Sequence, residues 1–513
     1  MRLVKTQDIP LLEHATPSQE TRQDQVYRSL RQAITAGHLR RGDQVASTRE
    51  LATRWALSRG TVEQAYERLS IEGYLERRQG SGTFVAAALP EHFLPTDTPC
   101  CHVPRVPGAI PATPQAPPRA PSFCSRLPAG LPFASRVADP GLLDMKKWRR
   151  HLTTAARGMD QQEMHLSQIG GIWALRQALA GYIKAVRGIE CHADDIVITT
   201  GIRQSLSILA GILNPADQQV GIEDPGYLQA RQLFEARGLQ VRSVPVDAEG
   251  LRVESLGVSS AVYITPAHQS PLGVTMSASR RAALLDWAKK SGGLIIEDDY
   301  DSEYNYLKSP PPALKASDQD DQVVFCSSFN KVLYSSLRIG FMIVPRAWHD
   351  EIMRHLRISG AQPGLIEQHA LATMIVSGDI YSHIRQSRRT YEKRRNIVLQ
   401  GLARWLNKPK LSGEHCGFHF VLWLPPQLDD LLVARELEAQ GLAVQPISNF
   451  VSDYPQPPGL LIAFASVRDA LLYEASDHLG RALAQLYQSE QLNEPWCGVI
   501  QAEDPVITAA PRA

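Results

Sequence analysis

Cysteine is scarce in this chain, and the seven cysteines are scattered from Cys100 to Cys497. None of them forms a Cys-x-x-Cys pair. An odd number without that spacing argues against a disulfide framework and against a zinc knuckle. We therefore expect reduced cysteines and predict no metal site.

Long apolar runs are also absent. The first residues, MRLVKTQDIPLLEH, carry charges and a proline where a signal peptide needs an apolar core. No later run is long enough to span a bilayer, so we expect no membrane partner and a cytoplasmic location. The formal net charge is only +1, which excludes no class of partner, so local charge has to be considered instead.

Proline, by contrast, is concentrated in one part of the sequence. Between Pro90 and Pro121 it recurs every few residues without a sustained apolar period, which is typical of an extended linker. The 513 residues also exceed one typical domain. We predict an N-terminal tail over 1–20, a small domain over 21–87, a proline-rich linker over 88–128, a large domain over 129–490 and a C-terminal tail over 491–513.

The small domain has the pattern of a winged helix-turn-helix, a small α+β fold. Apolar residues recur at helical spacing over 26–34, and Ser47 and Glu50 have the spacing of a capping box. Ser58 can cap a third helix, whose N-terminal end would enter a major groove. Two short strands joined by the glycine-rich QGSG would then form the wing.

Local charge supports DNA binding by this domain. Residues 22–85 contain eleven arginines and seven acidic residues. The resulting net charge is positive, as contact with DNA phosphates requires. A helical protein-docking domain with a basic face is the alternative. The domain resembles the GntR family of bacterial regulators, and the resemblance implies DNA contacts from Arg49, Ser58, Arg59, Thr61 and Gly80. Gly60 replaces a larger polar residue of that family, which would relax sequence readout.

The large domain alternates short β-branched runs with helical patterns. DIVITT, AVYIT, GGLIIEDD and QVVFCSS predict an α/β fold with a mainly parallel sheet. After the last run, Lys331 stands three residues beyond Ser328 and seven before Arg338. Ser-x-x-Lys occurs in serine hydrolases, but also in enzymes that present a lysine to a cofactor aldehyde. The sequence lacks the Ser-Asp-Asn and Lys-Thr-Gly companions of the hydrolases.

Three other stretches supply matching chemistry. Backbone N–H groups at Gly201 and Ile202 would begin a helix, which is a natural phosphate site. Tyr227 offers a ring and Asp298 a carboxylate. With the Lys331 amine, this set is what pyridoxal 5′-phosphate requires. The acidic run 298–303 could instead be a solvated turn or a Mg²⁺ or Ca²⁺ site.

At these positions the large domain resembles the fold-type I aminotransferases, which have a mixed, mostly parallel sheet and a smaller C-terminal α+β subdomain. The resemblance implies that the residues holding pyridoxal 5′-phosphate are Lys331 through a Schiff base, Asp298 at the pyridine nitrogen, Tyr300 at the ring hydroxyl, Tyr227 by stacking, and Gly201, Ile202, Ser328 and Arg338 at the phosphate. TPAHQSPLG occupies the place of an asparagine-containing loop but lacks the asparagine. Candidates to replace it are His268, Gln269 and Ser270.

The sequence departs from working aminotransferases where they bind substrate. Leu460 and Leu461 stand where a bidentate, carboxylate-binding arginine is usual, and Gln229 where some relatives carry a second one. Leu166 replaces a tyrosine that reaches across the dimer. We therefore expect weak or absent transamination. An amine without a carboxylate, or the cofactor itself, would be the better effector.

Both domains together resemble the MocR-type regulators. The resemblance implies a multidomain transcriptional regulator that binds operator DNA as a homodimer. Its aminotransferase-like domain would sense pyridoxal 5′-phosphate or a small amine that reacts with it. The alternative is an active aminotransferase with an auxiliary DNA-binding arm, which would turn over amino acids repeatedly.

Overall fold

A computed structural model describes Leu11 and residues 21–89, 131–134, 136–165, 168–213, 219–307 and 310–489. The chain divides into two compact units, residues 1–118 and 119–513. Nearly all of the predicted linker and of both tails lies outside the described residues, as does Leu166. None of the described helices is long and apolar enough to cross a membrane.

The first unit contains a winged helix-turn-helix, as predicted. Each helix begins after a hydroxyl N-cap, because Thr21, Ser47 and Ser58 each accept a hydrogen bond from the backbone N–H three residues later. Strands β1 and β2 pair antiparallel on either side of the wing. The elements are α1 (Arg22–Thr35), α2 (Thr48–Arg54), α3 (Arg59–Ile71), β1 (Leu75–Arg78) and β2 (Gly82–Val85).

One apolar core holds the three helices together. Leu30 from α1, Leu51 from α2 and Leu69 from α3 are all almost fully buried in it. The Tyr66 hydroxyl donates to the backbone oxygen of Ala46 at 2.8 Å, which ties α3 to the residues before α2. The N-terminal end of α3 is left exposed to solvent.

The second unit is built on an eight-stranded sheet in the order β3-β10-β9-β8-β7-β4-β5-β6. The five central strands from β9 to β5 run parallel, whereas β10 is antiparallel to β3 and β9, and β6 to β5. The predicted mixed, mostly parallel sheet is thus confirmed. The strands are β3 (Ile196–Thr199), β4 (Gln219–Asp224), β5 (Gln240–Asp247), β6 (Gly250–Leu251), β7 (Ala261–Ile264), β8 (Leu294–Asp299), β9 (Val323–Ser328) and β10 (Gly340–Ile343).

Helices cover both faces of this sheet. Successive strand residues point to opposite faces, so Ile198 packs in one apolar cluster and its neighbour Val197 in another. Both faces are therefore dry, which explains why the strands are continuous apolar runs in the sequence. The helices are α4 (Met145–Gly158), α5 (Gln161–His165), α6 (Trp173–Arg187), α7 (Ile202–Ile212), α8 (Leu228–Ala236), α9 (Ala278–Ser291), α10 (His349–Ser359) and α11 (Leu365–Val376).

A smaller α+β subdomain follows, as predicted. Its four-stranded antiparallel sheet has the order β11-β12-β14-β13. The N-terminal segment of the unit also joins it, because Phe133 forms an antiparallel bridge with Ala463. The elements are α12 (Asp379–Ala403), β11 (Leu411–Ser412), β12 (His419–Trp423), α13 (Asp430–Ala439), β13 (Gln445–Pro446), β14 (Gly459–Ala463) and α14 (Asp469–Ser489).

The end of β4 is fastened to this subdomain. The Asp224 carboxylate accepts hydrogen bonds from the backbone N–H groups of Ser452, Asp453 and Tyr454 at 2.8, 2.6 and 2.9 Å. Two residues on, the Gly226 N–H donates to the Phe450 oxygen at 3.2 Å. The turn that leads into α8 is thus fixed to the loop before β14.

A buried ion pair fixes the end of β8. Arg187, the last residue of α6, places Nε 2.5 Å from Oδ2 of Asp299, and both side chains are less than 5% exposed. The guanidinium also donates to the Pro311 oxygen at 3.2 Å. The neighbouring Glu297 carboxylate accepts from two backbone N–H groups, those of Leu314 and Lys315. The acidic end of β8 is therefore held by donors from two other segments.

We predict that Arg187→Ala lowers the free energy of unfolding by about 3–5 kcal/mol, because it leaves the Asp299 charge buried without a counter-ion. Urea denaturation followed by tryptophan fluorescence measures the loss. The control is Lys184→Ala on the same helix, which removes an exposed ion pair to Glu190 beyond the helix end and should leave the midpoint unchanged. Equal midpoints for the Arg187 and Lys184 variants would contradict the prediction.

Candidate functional site

Lys331 lies just beyond the end of β9, at the carboxyl edge of the parallel strands. Its Nζ is 4.0 Å from the centroid of the Tyr300 ring and 5.9 Å from that of Phe418. The side chain is half-buried. The lysine and tyrosine that the sequence analysis grouped are therefore in contact.

Asp298 lies at the same edge, in the last residues of β8. Its Oδ2 accepts a hydrogen bond from the Tyr263 hydroxyl at 2.6 Å. Burial raises the pKa of the Asp298 carboxyl to about 7, against the opposing effects of the Tyr263 hydrogen bond and the Lys331 charge. A cationic partner would return this carboxyl to its ionised form.

Two tyrosine rings connect Asp298 to the turn before α8. Tyr227 is the N-cap of α8, and its ring centroid lies 6.4 Å from that of Tyr263 at an interplanar angle of 32°. Tyr263 in turn donates to Asp298. A half-buried ring and a buried carboxylate are thus presented in one place, which suits a flat aromatic cation.

The four residues expected to hold a phosphate come from three adjacent strands. Gly340 of β10 pairs with Thr199 of β3 on one side and with Ser328 of β9 on the other. Gly201 and Ile202 follow β3 and form the start of α7, where no side chain caps the helix. Backbone N–H groups at this helix start are therefore available to a phosphate beside the ends of these three strands, which we call the phosphate corner. Arg338, exposed and with φ of 55°, precedes β10 by two residues.

Gly201 is required for close packing at this corner. Its φ is 117°, which disfavours any residue with a side chain. A Cβ there would lie 3.0 Å from the Asn330 amide nitrogen, and one at Gly340 would lie 2.6 Å from the Gly201 Cα. Asn330 Oδ1 is buried with no hydrogen-bond partner among the described residues. The phosphate corner therefore has no side chain at Gly201, and it has a polar atom without a partner among those residues, Asn330 Oδ1, beside the N-terminus of α7.

Of the three candidates for the missing asparagine, only His268 contacts Tyr300. Its Nδ1 lies 3.2 Å from the Tyr300 hydroxyl and 3.1 Å from both carboxylate oxygens of Asp301. Gln269 is used internally, since its amide donates to the Pro225 and Ser270 oxygens at 2.9 and 3.0 Å. With its proton on Nδ1, His268 leaves the hydroxyl hydrogen of Tyr300 for another acceptor.

His268, Asp301 and His419 also form a compact buried group. They can offer one ligand atom each within 4.8 Å of one another, so the arrangement could hold a metal ion. His268 Nδ1 already faces Asp301, and His419 Nε2 faces the Pro271 oxygen at 3.2 Å. We therefore interpret the three as a hydrogen-bonded wall of the site. Sequence spacing alone gives no sign of it, because the members come from three separate segments.

The leucines that replace the usual arginine are fully buried. Leu460 and Leu461 lie in β14 and pack in two different apolar clusters, one on each face of the small sheet. Gln229 is half-buried in the first turn of α8. At these positions, β14 and α8 provide no guanidinium to the site.

Sequence reasoning missed three residues of the site region: Arg136, Arg187 and Tyr263. Tyr263 was detectable in principle, because it places a hydroxyl inside the otherwise apolar strand AVYI. Arg136 and Arg187 carry no local signal, since their contacts lie far away in the sequence.

In the first unit, the predicted DNA-contacting residues lie around the start of α3 and the wing. Arg59 and Arg49 are exposed. Ser58 and Thr61 bond to each other, with 2.7 Å between their hydroxyl oxygens, so both are engaged in capping α3. Gly80 has a φ of 75°, so a residue with a side chain would be strained there even though the space beside it is open.

Two family models match the chain. Bacterial regulatory proteins of the gntR family match residues 22–85, and aminotransferase class I and II matches residues 139–479. The chain is 31% identical to a probable rhizopine catabolism regulatory protein MocR of Rhizobium meliloti, over 91% of this chain and 95% of that protein. It is also 31% identical to the pyridoxine biosynthesis transcriptional regulator PdxR of Corynebacterium glutamicum, over 86% and 91% of the two chains.

The fold of the second unit is likewise similar to solved structures. An archaeal alanine:glyoxylate aminotransferase superposes with a TM-score of 0.64 and 26% identity, covering 70% of this chain and 91% of that one. A kynurenine aminotransferase of Pyrococcus horikoshii superposes with the same TM-score at 24% identity, covering 71% of this chain and 92% of that one. The second unit is therefore aminotransferase-like in fold.

We predict that Asp298 makes the ligand-free protein less stable as pH rises. Its carboxyl ionises near 3.8 when unfolded and at about 7 when folded, so the folded state holds the extra proton in between and stability falls across that window. Urea midpoints from pH 5 to 8 should fall less steeply in Asp298→Asn than in the wild type.

The matched control is Asp469→Asn. A hydrogen bond from Lys393 lowers the pKa of the Asp469 carboxyl, so this group stays ionised from pH 5 to 8 in both states. Its removal should shift all midpoints together without changing their slope. An unchanged slope in Asp298→Asn would show that this carboxyl does not titrate in the window.

Proposed function

The chain belongs to the MocR-type transcriptional regulators, in which a GntR-family DNA-binding domain is joined to an aminotransferase-like domain, and on this premise we propose that it controls transcription in response to a ligand bound at Lys331. The ligand site holds pyridoxal 5′-phosphate. The observation that carries the proposal is the convergence of Lys331, Asp298 and Tyr227 at one edge of the large sheet.

The residues present fit this cofactor. Lys331 is the amine that bonds to it covalently, and the buried Asp298 is the counter-charge for a protonated pyridine nitrogen. The uncapped start of α7 at Gly201 and Ile202, with Ser328 and Arg338 beside it, receives the phosphate. When bound, the cofactor supplies an aldehyde that condenses reversibly with amines.

Two further residues orient the ring. Tyr227 would stack on it, and Tyr300 would donate to its hydroxyl oxygen. His268 takes the place of the missing asparagine by holding Tyr300, while Asp301 fixes the histidine from behind. The pair His268 and Asp301 thus positions Tyr300 instead of contacting the ring itself.

The first unit reads DNA through the start of α3. Arg59 contacts a base, while Ser58, Thr61, Arg49 and the wing glycine Gly80 approach the phosphates. A homodimer formed through the aminotransferase-like domain supplies two such DNA-binding domains. Ligand binding at Lys331 changes the affinity of the dimer for its operator.

We predict that the purified wild-type protein, supplied with pyridoxal 5′-phosphate, shows visible absorbance and a covalent adduct after borohydride reduction. Lys331→Ala should abolish both, because no other lysine lies at the site edge built by β8 and β9 in the described structure. Mass spectrometry of the reduced protein locates the adduct. Lys315→Ala, which replaces a lysine whose amine pairs with Asp318 before the start of β9, is the control that retains it. An adduct in Lys331→Ala would overturn the assignment.

We predict that Arg59→Ala costs about 1–3 kcal/mol of binding to sites that the wild type selects from a random duplex library, with little change on unselected DNA. Arg77→Ala, on the exposed wing strand, should weaken both kinds of DNA alike if it contacts phosphate. Fluorescence anisotropy titrations give both affinities. Equal affinity of Arg59→Ala and wild type for the selected sites would contradict the role of α3.

A further inference from the structure

The site contains an arginine, Arg136, that the sequence patterns did not predict and that the proposed cofactor contacts do not use. Arg136 lies in the segment that precedes α4, far from Lys331 in the sequence. Its guanidinium nevertheless reaches the loop after β7, where Nη1 donates to the Ser270 hydroxyl at 3.1 Å. Ser270 belongs to the same loop as His268, which holds Tyr300. Arg136 therefore enters the site from a segment that the cofactor-binding residues do not use.

The backbone that carries Arg136 is fixed on both sides. Before it, Phe133 bridges to Ala463 of β14, and the Pro132 oxygen accepts from the Ala443 N–H at 3.0 Å. After it, the Asp139 carboxylate pairs with Arg394 at 2.8 Å. Anchors on either side of Arg136 restrict its backbone, and the Ser270 hydrogen bond directs its guanidinium, so ordering this side chain on a ligand costs less freedom.

The charge of Arg136 has no acidic partner nearby. Within the described part of the chain, no carboxylate lies within 4.0 Å of its guanidinium, and Ser270 is a neutral acceptor that uses one of five N–H donors. The other close contact is the Phe450 ring, whose centroid is 5.4 Å from the guanidinium carbon. A partly buried guanidinium with a flat apolar support and unused donors is suited to a planar anion.

This guanidinium lies near the groups that surround Lys331. Burial raises the pKa of the Tyr300 hydroxyl, with a further contribution from Asp301, and the charge of Arg136 acts in the opposite direction. Burial lowers the pKa of His419, and His268, Arg136 and Lys331 add to that effect. His419 thus lies within the electrostatic reach of both cations. Arg136 and Lys331 therefore contact the same group of side chains, since Arg136 bonds to the loop that holds His268, and His268 contacts the Tyr300 hydroxyl.

Arg136 also lies against an apolar cluster to which strand β14 contributes. Leu461 and Phe450 pack in the same apolar cluster, and Arg136 lies on the Phe450 ring. Nearby, the buried ring nitrogens His268 Nε2 and His419 Nδ1 have no hydrogen-bond partner among the residues described. A guanidinium from the N-terminal segment therefore lies on the same apolar cluster as Leu461, one of the two leucines that stand where an arginine is usual.

We propose that Arg136 binds the carboxylate of the effector, so that the ligand sensed by this protein is an amine that also carries a carboxylate. This inference rests on the proposed function at Lys331 and names its ligand class. It reverses the expectation, drawn from Leu460 and Leu461 alone, that an amine without a carboxylate is the better effector. The amino end of the ligand faces Lys331 and the acid end faces Arg136.

The test compares amines that differ only in the acid group. The visible absorbance of the cofactor-loaded wild type is titrated with β-alanine against n-propylamine, and with L-alanine against isopropylamine. We expect half-saturation at a concentration at least about tenfold lower for one amino acid than for its analogue without the carboxylate, because a bidentate charge-assisted contact is gained. The pair that shows this difference reports the spacing between amine and acid. Operator affinity with and without the same ligands is the second readout.

Arg136→Met keeps the apolar stem but removes the charge. It should raise the half-saturating amino acid concentration by about tenfold or more and leave that of the amine without a carboxylate within about twofold. Arg136→Lys, which keeps the charge but not the planar fork, should fall between them. Arg149→Ala, an exposed arginine on α4, is the control without effect.

The outcomes separate the two levels of inference. If the wild type shows no visible band, the proposed function fails and this inference with it. If the band is present but amino acids and amines act alike, or both Arg136 variants respond as the wild type does, only the role of Arg136 is overturned. Should Arg136→Met fold poorly, Arg136→Lys still decides, because loss of the fork alone must weaken the amino acid response.

Discussion

A concentration of buried negative charge governs the architecture of the second unit. Five carboxylates fall within the seven residues from Glu297 to Glu303, at and just beyond the end of a central strand, and all but Glu303 are buried. Charges taken out of water are tolerated only if they are paired, hydrogen-bonded or neutralised. The groups that satisfy them come from distant segments: Arg187 from α6, Tyr263 from β7, His268 from the following loop, and the backbone at Leu314 and Lys315.

The same charge distinguishes Asp298 from its neighbours. Glu297 and Asp299 have strong partners inside the protein, whereas Asp298 receives one tyrosine hydroxyl and the charge of Lys331. Burial raises the pKa of both Glu297 and Asp298, but Asp298 lacks the two backbone donors that hold Glu297, so it has more to gain from a cationic ligand. The surrounding ion pairs thus leave one carboxylate incompletely compensated at the place where the cofactor is proposed to bind.

Much of this could be predicted from short stretches of sequence. Hydroxyl caps at Ser47 and Ser58 and the apolar runs of the parallel sheet are local signals, and both domains were identified from them. Lys331 and Asp298 follow strands, and the ends of parallel strands meet at one edge. The role of Arg136 could not be predicted, because its contact with Ser270 spans 134 residues and depends on a bridge between Phe133 and β14. The choice among His268, Gln269 and Ser270 likewise required the actual hydrogen bonds.

The fastening of the β4 turn to the small subdomain has a further consequence. Asp224 and Gly226 hold the loop that carries Phe450, and Tyr227 follows them directly. Phe450 in turn supports Arg136. A ligand acid that drew Arg136 closer to Phe450 would therefore act, through these contacts, on the turn that carries Tyr227. Thermodynamic linkage makes such an effect reciprocal. If binding of the acid at Arg136 strengthens binding at Tyr227, then binding at Tyr227 strengthens binding of the acid by the same free energy.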